Sequence, residues 1–402
     1  MKILQSVWSL AGSTLLCIST SVSAETQSYI DLQAGLGYSS NPLLVFGDRT
    51  GSAFGRVSAF GYYGRTSERS ATSISGYVEN SSYLRRFSNK QAFSLDAKTS
   101  RSISKLVRLF GDVTFSGDSG AQLSSRFYGV PAGSIALDPT APGSLLAVSP
   151  DLYGLNRQQY RLSGQVGASV TLSPRDSLTA AIGAQHLFSS GSSDNLSYTQ
   201  YDGSVAYERQ INERLSVGGR IIGQSAHFPG RGTISSAGPQ ATVHARLSDD
   251  WDATGALGFV NTREDLGALG GTHSSIDLAF DGSLCHNVKD QRFCGRVSRR
   301  TQSSLIGAAP TSTSAGLDYY RRLSARDTIQ ATADILRSSF RLGEGNQRST
   351  FYSLAGSYDR KVNDRLSIGA NAAARKLTRA SLSPKADVGG SIFVRYRLGD
   401  AR

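Results

Sequence analysis

The chain has 402 residues, of which 39% are hydrophobic, and its 43 Lys and Arg outnumber its 31 Asp and Glu to give a formal net charge of +12. Its mean hydropathy is −0.24. After the N-terminal segment, no apolar run approaches the roughly 20 residues that cross a bilayer as a helix, which excludes a helical membrane protein. The 43 Gly, 17 Tyr and 16 Phe instead favour a sheet with one apolar and one polar face. Disorder is the alternative for low hydrophobicity, but the regular positions of the aromatic residues disfavour it.

The first 24 residues have the pattern of a secretory signal peptide. Met1-Lys2 supplies a positive charge, Ile3 to Ile18 is largely apolar, and Val22-Ser23-Ala24 places small residues at a cleavage site. We therefore expect residues 1–24 to be removed and residues 25–402 to form one exported domain. A basic chain can indicate nucleic-acid binding, but export excludes that partner.

From Tyr29 onward, segments of about ten residues alternate apolar and polar side chains, as strands with two different faces do. In the last segment Val388, Ile392 and Val394 alternate with Asp387 and Arg395. Short charged turns separate the strands in pairs, and we place them at Ser67-Glu68-Arg69, Ser102 to Lys105, Pro174-Arg175-Asp176, Asn212-Glu213-Arg214, Asp249-Asp250, Val288-Lys289-Asp290, Ala325-Arg326-Asp327 and Asn363-Asp364-Arg365. The other connections fall at about 39–52, 81–90, 117–157, 189–195, 227–233, 262–272, 303–311, 341–347 and 377–384.

These turns and connections predict an all-β fold, a closed antiparallel transmembrane β-barrel of about 18 strands, or 16 if one strand pair is misassigned. An even strand number places both termini at the end with the short turns, which is the periplasmic side in outer-membrane barrels. Tyr63, Tyr207, Trp251 and Tyr358 stand at apolar strand ends, as expected for interfacial girdles. A barrel of this size leaves an aqueous lumen, and we expect it in the Gram-negative outer membrane, in contact with lipid and lipopolysaccharide.

The first two strands resemble those of a known family. Gly35-Leu36-Gly37-Tyr38-Ser39-Ser40-Asn41 followed by Tyr62-Tyr63-Gly64-Arg65-Thr66-Ser67-Glu68-Arg69 resembles outer-membrane barrels of the β-barrel porin 2 type. That family also repeats short turns like Ile211-Asn212-Glu213-Arg214-Leu215. The resemblance implies a role in exopolysaccharide production and export, although a fold by itself does not define a function.

Alternation of faces predicts which charged side chains line the lumen. The candidates are Arg56, Arg108, Arg161, Arg220, Arg246, Arg292, Arg296, Arg300, Arg322, Arg375, Arg395, Arg397, Asp277 and Asp281. One interpretation is a path for polysaccharide or small anionic solutes, with Arg292, Arg296 and Arg300 as a basic ladder on one strand and an overall positive excess that favours anions. The other is a set of cross-strand ion pairs that stiffen the wall.

Two cysteines remain after removal of the signal peptide. Cys285 and Cys294 flank a short turn and share a face, so we predict a disulfide between them in an oxidising compartment. A redox or metal pair with His286 is the alternative, but His286 falls on the opposite face.

The long connection from Ser116 to Asn156 contains four prolines and little charge. Loops of this length are usually functional or disordered. It either folds into the lumen and narrows it, or lies over the barrel mouth.

Signatures of catalysis are weak, so we expect neither an enzyme nor a cofactor or metal site. The five His show no metal-ligand spacing, and the chain has no nucleophile elbow between a strand and a helix. The leading hypothesis is a pore or export conduit, with a periplasmic export partner as a further expectation. The alternative is a structural or adhesive surface barrel with a blocked lumen. A TonB-type transporter is disfavoured, because no plug domain precedes the first strand.

Overall fold

The computed structural model describes residues 25–42, 44, 51–85, 87, 89–119, 158–190, 197–265, 271–301, 310–342, 345–379 and 384–400. The predicted signal peptide and most of the long connection after β5 lie outside these residues. The described chain forms eighteen strands: β1 (Glu25–Ser39), β2 (Ser52–Thr66), β3 (Ser70–Tyr83), β4 (Lys90–Ser102), β5 (Val107–Ser119), β6 (Gln158–Ser173), β7 (Asp176–Ser190), β8 (Ser197–Asn212), β9 (Leu215–Phe228), β10 (Gly232–Arg246), β11 (Trp251–Asp265), β12 (Thr272–Val288), β13 (Gln291–Thr301), β14 (Thr311–Arg322), β15 (Asp327–Leu342), β16 (Gly345–Lys361), β17 (Leu366–Arg379) and β18 (Asp387–Asp400). No helix in the described residues is long and apolar enough to cross a membrane.

The strands form one closed sheet. Each strand is antiparallel to the next along the chain, and β18 pairs with β1 through a continuous register from Ser28↔Asp400 to Ser39↔Gly389. Closure pairs the backbone groups of the first and last strands with each other and leaves no edge among the described strands. The predicted all-β, 18-strand closed antiparallel barrel is confirmed, and the 16-strand alternative is wrong.

The connections sort to the two ends of the barrel as the sequence predicts. Eight short turns lie at the same end as Glu25 and Asp400, and we call this the turn end; the other connections lie at the loop end. Side chains close the turns: Ser173 Oγ accepts from Asp176 N at 3.1 Å, and Asn363 Oδ1 accepts from Leu366 N at 2.8 Å. Such local side-chain bonds are why Ser and Asn favour turns.

Strand length is where the prediction falls short. The strands have 11 to 17 residues instead of about ten, because the hydrogen-bonded ladder continues beyond the segment with the apolar face. The connection between β15 and β16 shows this most clearly. It was predicted at 341–347, but the strands reach Leu342 and start again at Gly345.

The two faces of the wall differ in chemistry. On one face Ile182, Ile276 and Ile392 are 67%, 74% and 67% exposed, and similar apolar side chains recur on strand after strand. On the other face, side chains of strands that are not neighbours meet, as Arg296 of β13 does with Asp334 of β15 at 3.5 Å. Such contacts form on the concave side of a closed sheet, so this is the interior face. The outer face is therefore an apolar belt suited to the hydrocarbon of a bilayer.

The interior face is not polar throughout. Near the loop end of β7–β10, Leu187, Tyr198, Ala226, Phe228 and Ile234 pack into one buried cluster. The sequence predicted a polar interior from alternation alone. These interior positions are instead occupied by apolar side chains that cover one another, so this part of the wall needs no water.

Candidate functional site: the interior face

The register assigns a large set of charged strand residues to the interior face. Its basic members are Arg56, Lys90, Lys98, Arg108, Arg161, Arg220, Arg246, Arg292, Arg296, Arg300, Arg322, Lys361, Arg375, Arg379, Arg395 and Arg397. Its acidic members are Glu25, Asp31, Glu79, Asp96, Asp112, Asp118, Asp202, Glu208, Asp252, Glu264, Asp277, Asp281, Asp318, Asp334, Asp359 and Asp387. The two sets are equal in number, so the described interior face carries no formal net charge. The positive excess expected of the lumen wall lies elsewhere in the chain.

Many of these charges are paired, either across neighbouring strands or across one intervening strand. Arg56 Nε lies 3.3 Å from Glu79 Oε1, and both side chains are buried. Arg296 lies 2.9 Å from Asp318 and 3.5 Å from Asp334. Arg296, the middle residue of the predicted basic ladder on β13, is thus held by two carboxylates. This arrangement favours a stiffened wall at that residue over a free row of cations.

One ion pair spans a wider stretch of the wall. Arg220 of β9 pairs with Asp281 of β12 and donates from Nε to Gln240 Oε1 at 2.6 Å. Gln224 of β9 likewise donates to the Thr301 carbonyl at 3.1 Å. The ion pair between Arg220 and Asp281 passes over β10 and β11, and the bond from Gln224 to Thr301 passes over β10, β11 and β12, so both cross-link a strongly curved part of the interior.

Charged side chains link β1 and β18 at both ends of the seam where the barrel closes. Toward the turn end, Arg397 bonds both carboxylate oxygens of Asp31, at 2.6 and 2.7 Å, and its guanidinium carbon lies 4.4 Å from the Tyr29 ring centroid. Its neighbour Arg395 lies 3.1 Å from Asp359 and donates to Gln33. Arg395 and Arg397, predicted as lumen-lining residues, are thus bound to the wall.

At the loop end of the seam, Asp387 binds the residues at the start of the β1–β2 connection. Its carboxylate accepts from Ser39 Oγ at 2.6 Å and from the Asn41 amide at 2.9 Å, and it pairs with Arg375. Arg375 in turn donates to the Pro42 carbonyl at 3.2 Å. Asp387 and Arg375 are 1% and 5% exposed, so this is a buried ion pair with further hydrogen bonds to Ser39, Asn41 and Pro42. Sequence reasoning missed this cluster, because Ser39, Asn41 and Pro42 lie more than 300 residues before Arg375 and Asp387 in the chain.

A smaller group of interior charges is exposed. Lys98 and Asp202 lie well inside their strands, whereas Arg108, Arg246, Arg322 and Lys361 lie at the turn end. Arg292 is also exposed at the turn end, but its Nε is directed to Cys294 Sγ. Exposed charges on the concave side require water beside them. At the turn-end mouth they are mainly basic, with Glu25 and Glu208 as the exposed acidic side chains among the described interior strand residues.

The predicted disulfide is confirmed. Cys285 of β12 and Cys294 of β13 face each other in the register, with Cα atoms 4.1 Å apart and a bond between the sulfurs. Both are buried on the interior face near the turn end, where Arg292 Nε lies 3.4 Å from Cys294 Sγ.

Two matching clusters stand on the outer face at the turn end. Tyr207 donates to Asp176 at 2.5 Å with Arg209 at 4.0 Å, and Tyr358 donates to Asp327 at 2.6 Å. In both, tyrosine and aspartate are separated by 31 residues. The sequence analysis identified these tyrosines as girdle residues but did not identify the aspartate that each one binds. The repeated Ser-x-Arg-Asp turn is the pattern that could have identified it.

Comparison with known proteins finds no relative in sequence and solved structures of weak similarity. No family model matches the chain, and no curated protein matches it in sequence. The chain is similar to the FrpB iron transporter from Neisseria meningitidis, at 10% identity and a TM-score of 0.44 over 92% of this chain and 82% of that one. It is also similar to two Pseudomonas aeruginosa proteins over 94% of this chain and 99% of theirs: OccK8 (OprE), at 10% identity and a TM-score of 0.43, and OccK2 (OpdF) in complex with glucuronate, at 12% and 0.44. The resemblance to the β-barrel porin 2 type stays a prediction.

Proposed function

We propose that the chain is an outer-membrane channel, with its turn end in the periplasm and its loop end at the cell surface. The observation that supports this proposal most directly is the combination of a closed wall, an apolar outer belt and exposed charged side chains on the interior face. A lumen that solvates Lys98 and Asp202 holds water, and a closed barrel in a bilayer gives that water one route from side to side.

Polar solutes that carry negative charge are the proposed cargo. The interior wall as a whole is neutral, so the preference for anions arises at the turn-end mouth, where Arg108, Arg246, Arg322 and Lys361 are exposed. Charges of one sign at a low-dielectric opening raise the local concentration of oppositely charged solutes. Among the predicted lumen residues, Arg108, Arg246 and Arg322 are therefore the ones assigned to conduction, whereas Arg56, Arg296, Arg375, Arg395 and Arg397 hold the wall.

Export of an acidic exopolysaccharide is the finer form of this proposal. It rests on the family resemblance of the first two strands, and the basic periplasmic mouth supports it, because an acidic polymer would enter there. The partner expected at the short turns would then be a periplasmic export protein.

Solute flux into vesicles tests the channel. Proteoliposomes with the purified barrel should take up glucuronate faster than glucose of similar size, and removing the four mouth cations with glutamine should abolish the difference. Equal exclusion of both sugars would contradict an open channel and favour the alternative, a structural or adhesive barrel with a blocked lumen. The export role has its own test, because a deletion strain that secretes normal amounts of polysaccharide excludes it.

A further inference from the structure

We propose that one side of the outer face binds the phosphate groups of lipopolysaccharide, the anionic glycolipid of the outer leaflet. The proposal rests on the orientation given under Proposed function, with the loop end at the cell surface. It concerns a surface that conduction does not use.

The observation is a group of outward-facing cations near the loop end. The group consists of Arg263 on β11, Arg299 on β13, Arg337 on β15, Arg348 on β16 and Lys376 on β17. Each is among the three outward-facing positions nearest the loop end of its strand. We call this group the cationic arc. It places long basic side chains at the level of lipid headgroups, where such side chains can extend to the interface.

The rest of the circumference is different. On β18 and on β1–β10, the same three outward-facing positions of each described strand hold no Lys or Arg. They carry residues such as Tyr38, Gln91, Tyr160, Phe188 and Thr199. A ring of cations would be expected if these residues served only to mark the membrane interface, so their restriction to one arc indicates a specific anionic partner.

The arc also offers uncharged donors beside its cations. Arg299, Thr313, Arg337, Thr350 and Thr378 are successive partners in the register from β13 to β17, all on the outer face. Neighbouring strands are about 4.8 Å apart, so the two arginines in this row lie about 10 Å apart. Guanidinium and hydroxyl groups both donate hydrogen bonds, and phosphate oxygens accept them.

Four of the five cations of the arc are free to bind. Arg299 lies 3.9 Å from Asp277 and donates to the Leu278 carbonyl, but the other four cations are exposed and form no ion pair with a described residue. Asp265 is the one acidic side chain at these outward positions of β11–β17 among the described side chains. The arc therefore has an excess of positive charge that a multiply phosphorylated lipid would neutralise.

Lipid binding to the purified full-length barrel tests the proposal. The test variant combines R263Q, R337Q, R348Q and K376Q, and the control variant removes four outward cations at the turn end by R101Q, R209Q, R321Q and R360Q. Affinity for bisphosphorylated lipid A in detergent would be measured by native mass spectrometry. We expect it to fall by about tenfold or more in the test variant and by less than about twofold in the control.

A second measurement needs no variant. The wild-type barrel should bind lipid A at least about tenfold more tightly than the same lipid with both phosphates removed, and more tightly than phosphatidylglycerol. Equal binding of the dephosphorylated lipid or of phosphatidylglycerol, or equal losses in the two variants, would overturn the proposal. Current through the test variant is recorded separately. An unchanged current together with lost lipid binding supports two independent surfaces, one for conduction and one for lipid. An absent current in the wild type would contradict the proposed channel and would leave the result of the lipid-binding measurement unchanged.

Discussion

The buried ion pair of Arg375 and Asp387 at the β1–β18 seam, which we call the clasp, gives the sharpest prediction about stability. Asn in place of Asp387 keeps the shape of the side chain and removes its charge, which leaves the buried guanidinium of Arg375 without a counter-charge. The same change weakens the acceptor for Ser39 Oγ and for the Asn41 amide. Removing one partner of a buried ion pair costs about 3–5 kcal/mol. We therefore expect D387N to lower the free energy of unfolding by about that amount.

Urea-induced unfolding in lipid vesicles, followed by gel mobility without boiling, measures this cost. The matched control is D290N, since Asp290 pairs with Arg322 at 3.9 Å while both side chains are more than half exposed; exposed pairs contribute about 1 kcal/mol or less. A double variant, R375M with D387L, removes both charges and should be more stable than D387N. If D387N unfolds at the same urea concentration as D290N, the clasp does not stabilise the seam.

Three further outcomes follow from the face assignments and contacts. Ile182→Arg places a charge in the apolar belt and should cost about 2–4 kcal/mol of folding free energy in vesicles, whereas Ser204→Arg on the interior face should cost much less; equal costs would contradict the assigned faces. Tyr207→Phe and Tyr358→Phe each remove one hydrogen bond to aspartate and should each cost about 0.5–1.5 kcal/mol, and urea titrations that differ strongly between them would contradict their equivalence. Reducing the disulfide between β12 and β13 should lower stability by about 2–3 kcal/mol without changing the current through the pore, and a lost current would assign the disulfide a role in conduction.

The barrel could be predicted because its constraints are local. A strand with Val388 and Ile392 on one face and Asp387 and Arg395 on the other can be recognised from a few consecutive residues. A turn such as Asn363-Asp364-Arg365 can be recognised in the same way. Strand number and the ends of the connections then follow from counting. The alternation of faces along each strand also predicted that Cys285 and Cys294 face each other, since a tight hairpin fixes the register between its two strands.

The state of each interior charge could not be predicted, because it depends on contacts between distant strands. Arg296 belongs to a basic ladder by parity, but Asp318 and Asp334 come from two other strands. Total charge was equally misleading, since the described interior face is balanced and the +12 of the chain arises elsewhere. Alternation also gave no sign that Phe228 and Ile234 would form part of an apolar cluster inside the barrel.

Single-channel recording in planar bilayers tests the central claim most directly. The purified barrel should produce discrete currents, and a salt gradient should give a reversal potential that favours anions. Glutamine at Arg108, Arg246, Arg322 and Lys361 should move that potential toward zero without removing the current. A correctly folded barrel that carries no current at any salt concentration would contradict the account, and so would a cation preference in the wild type.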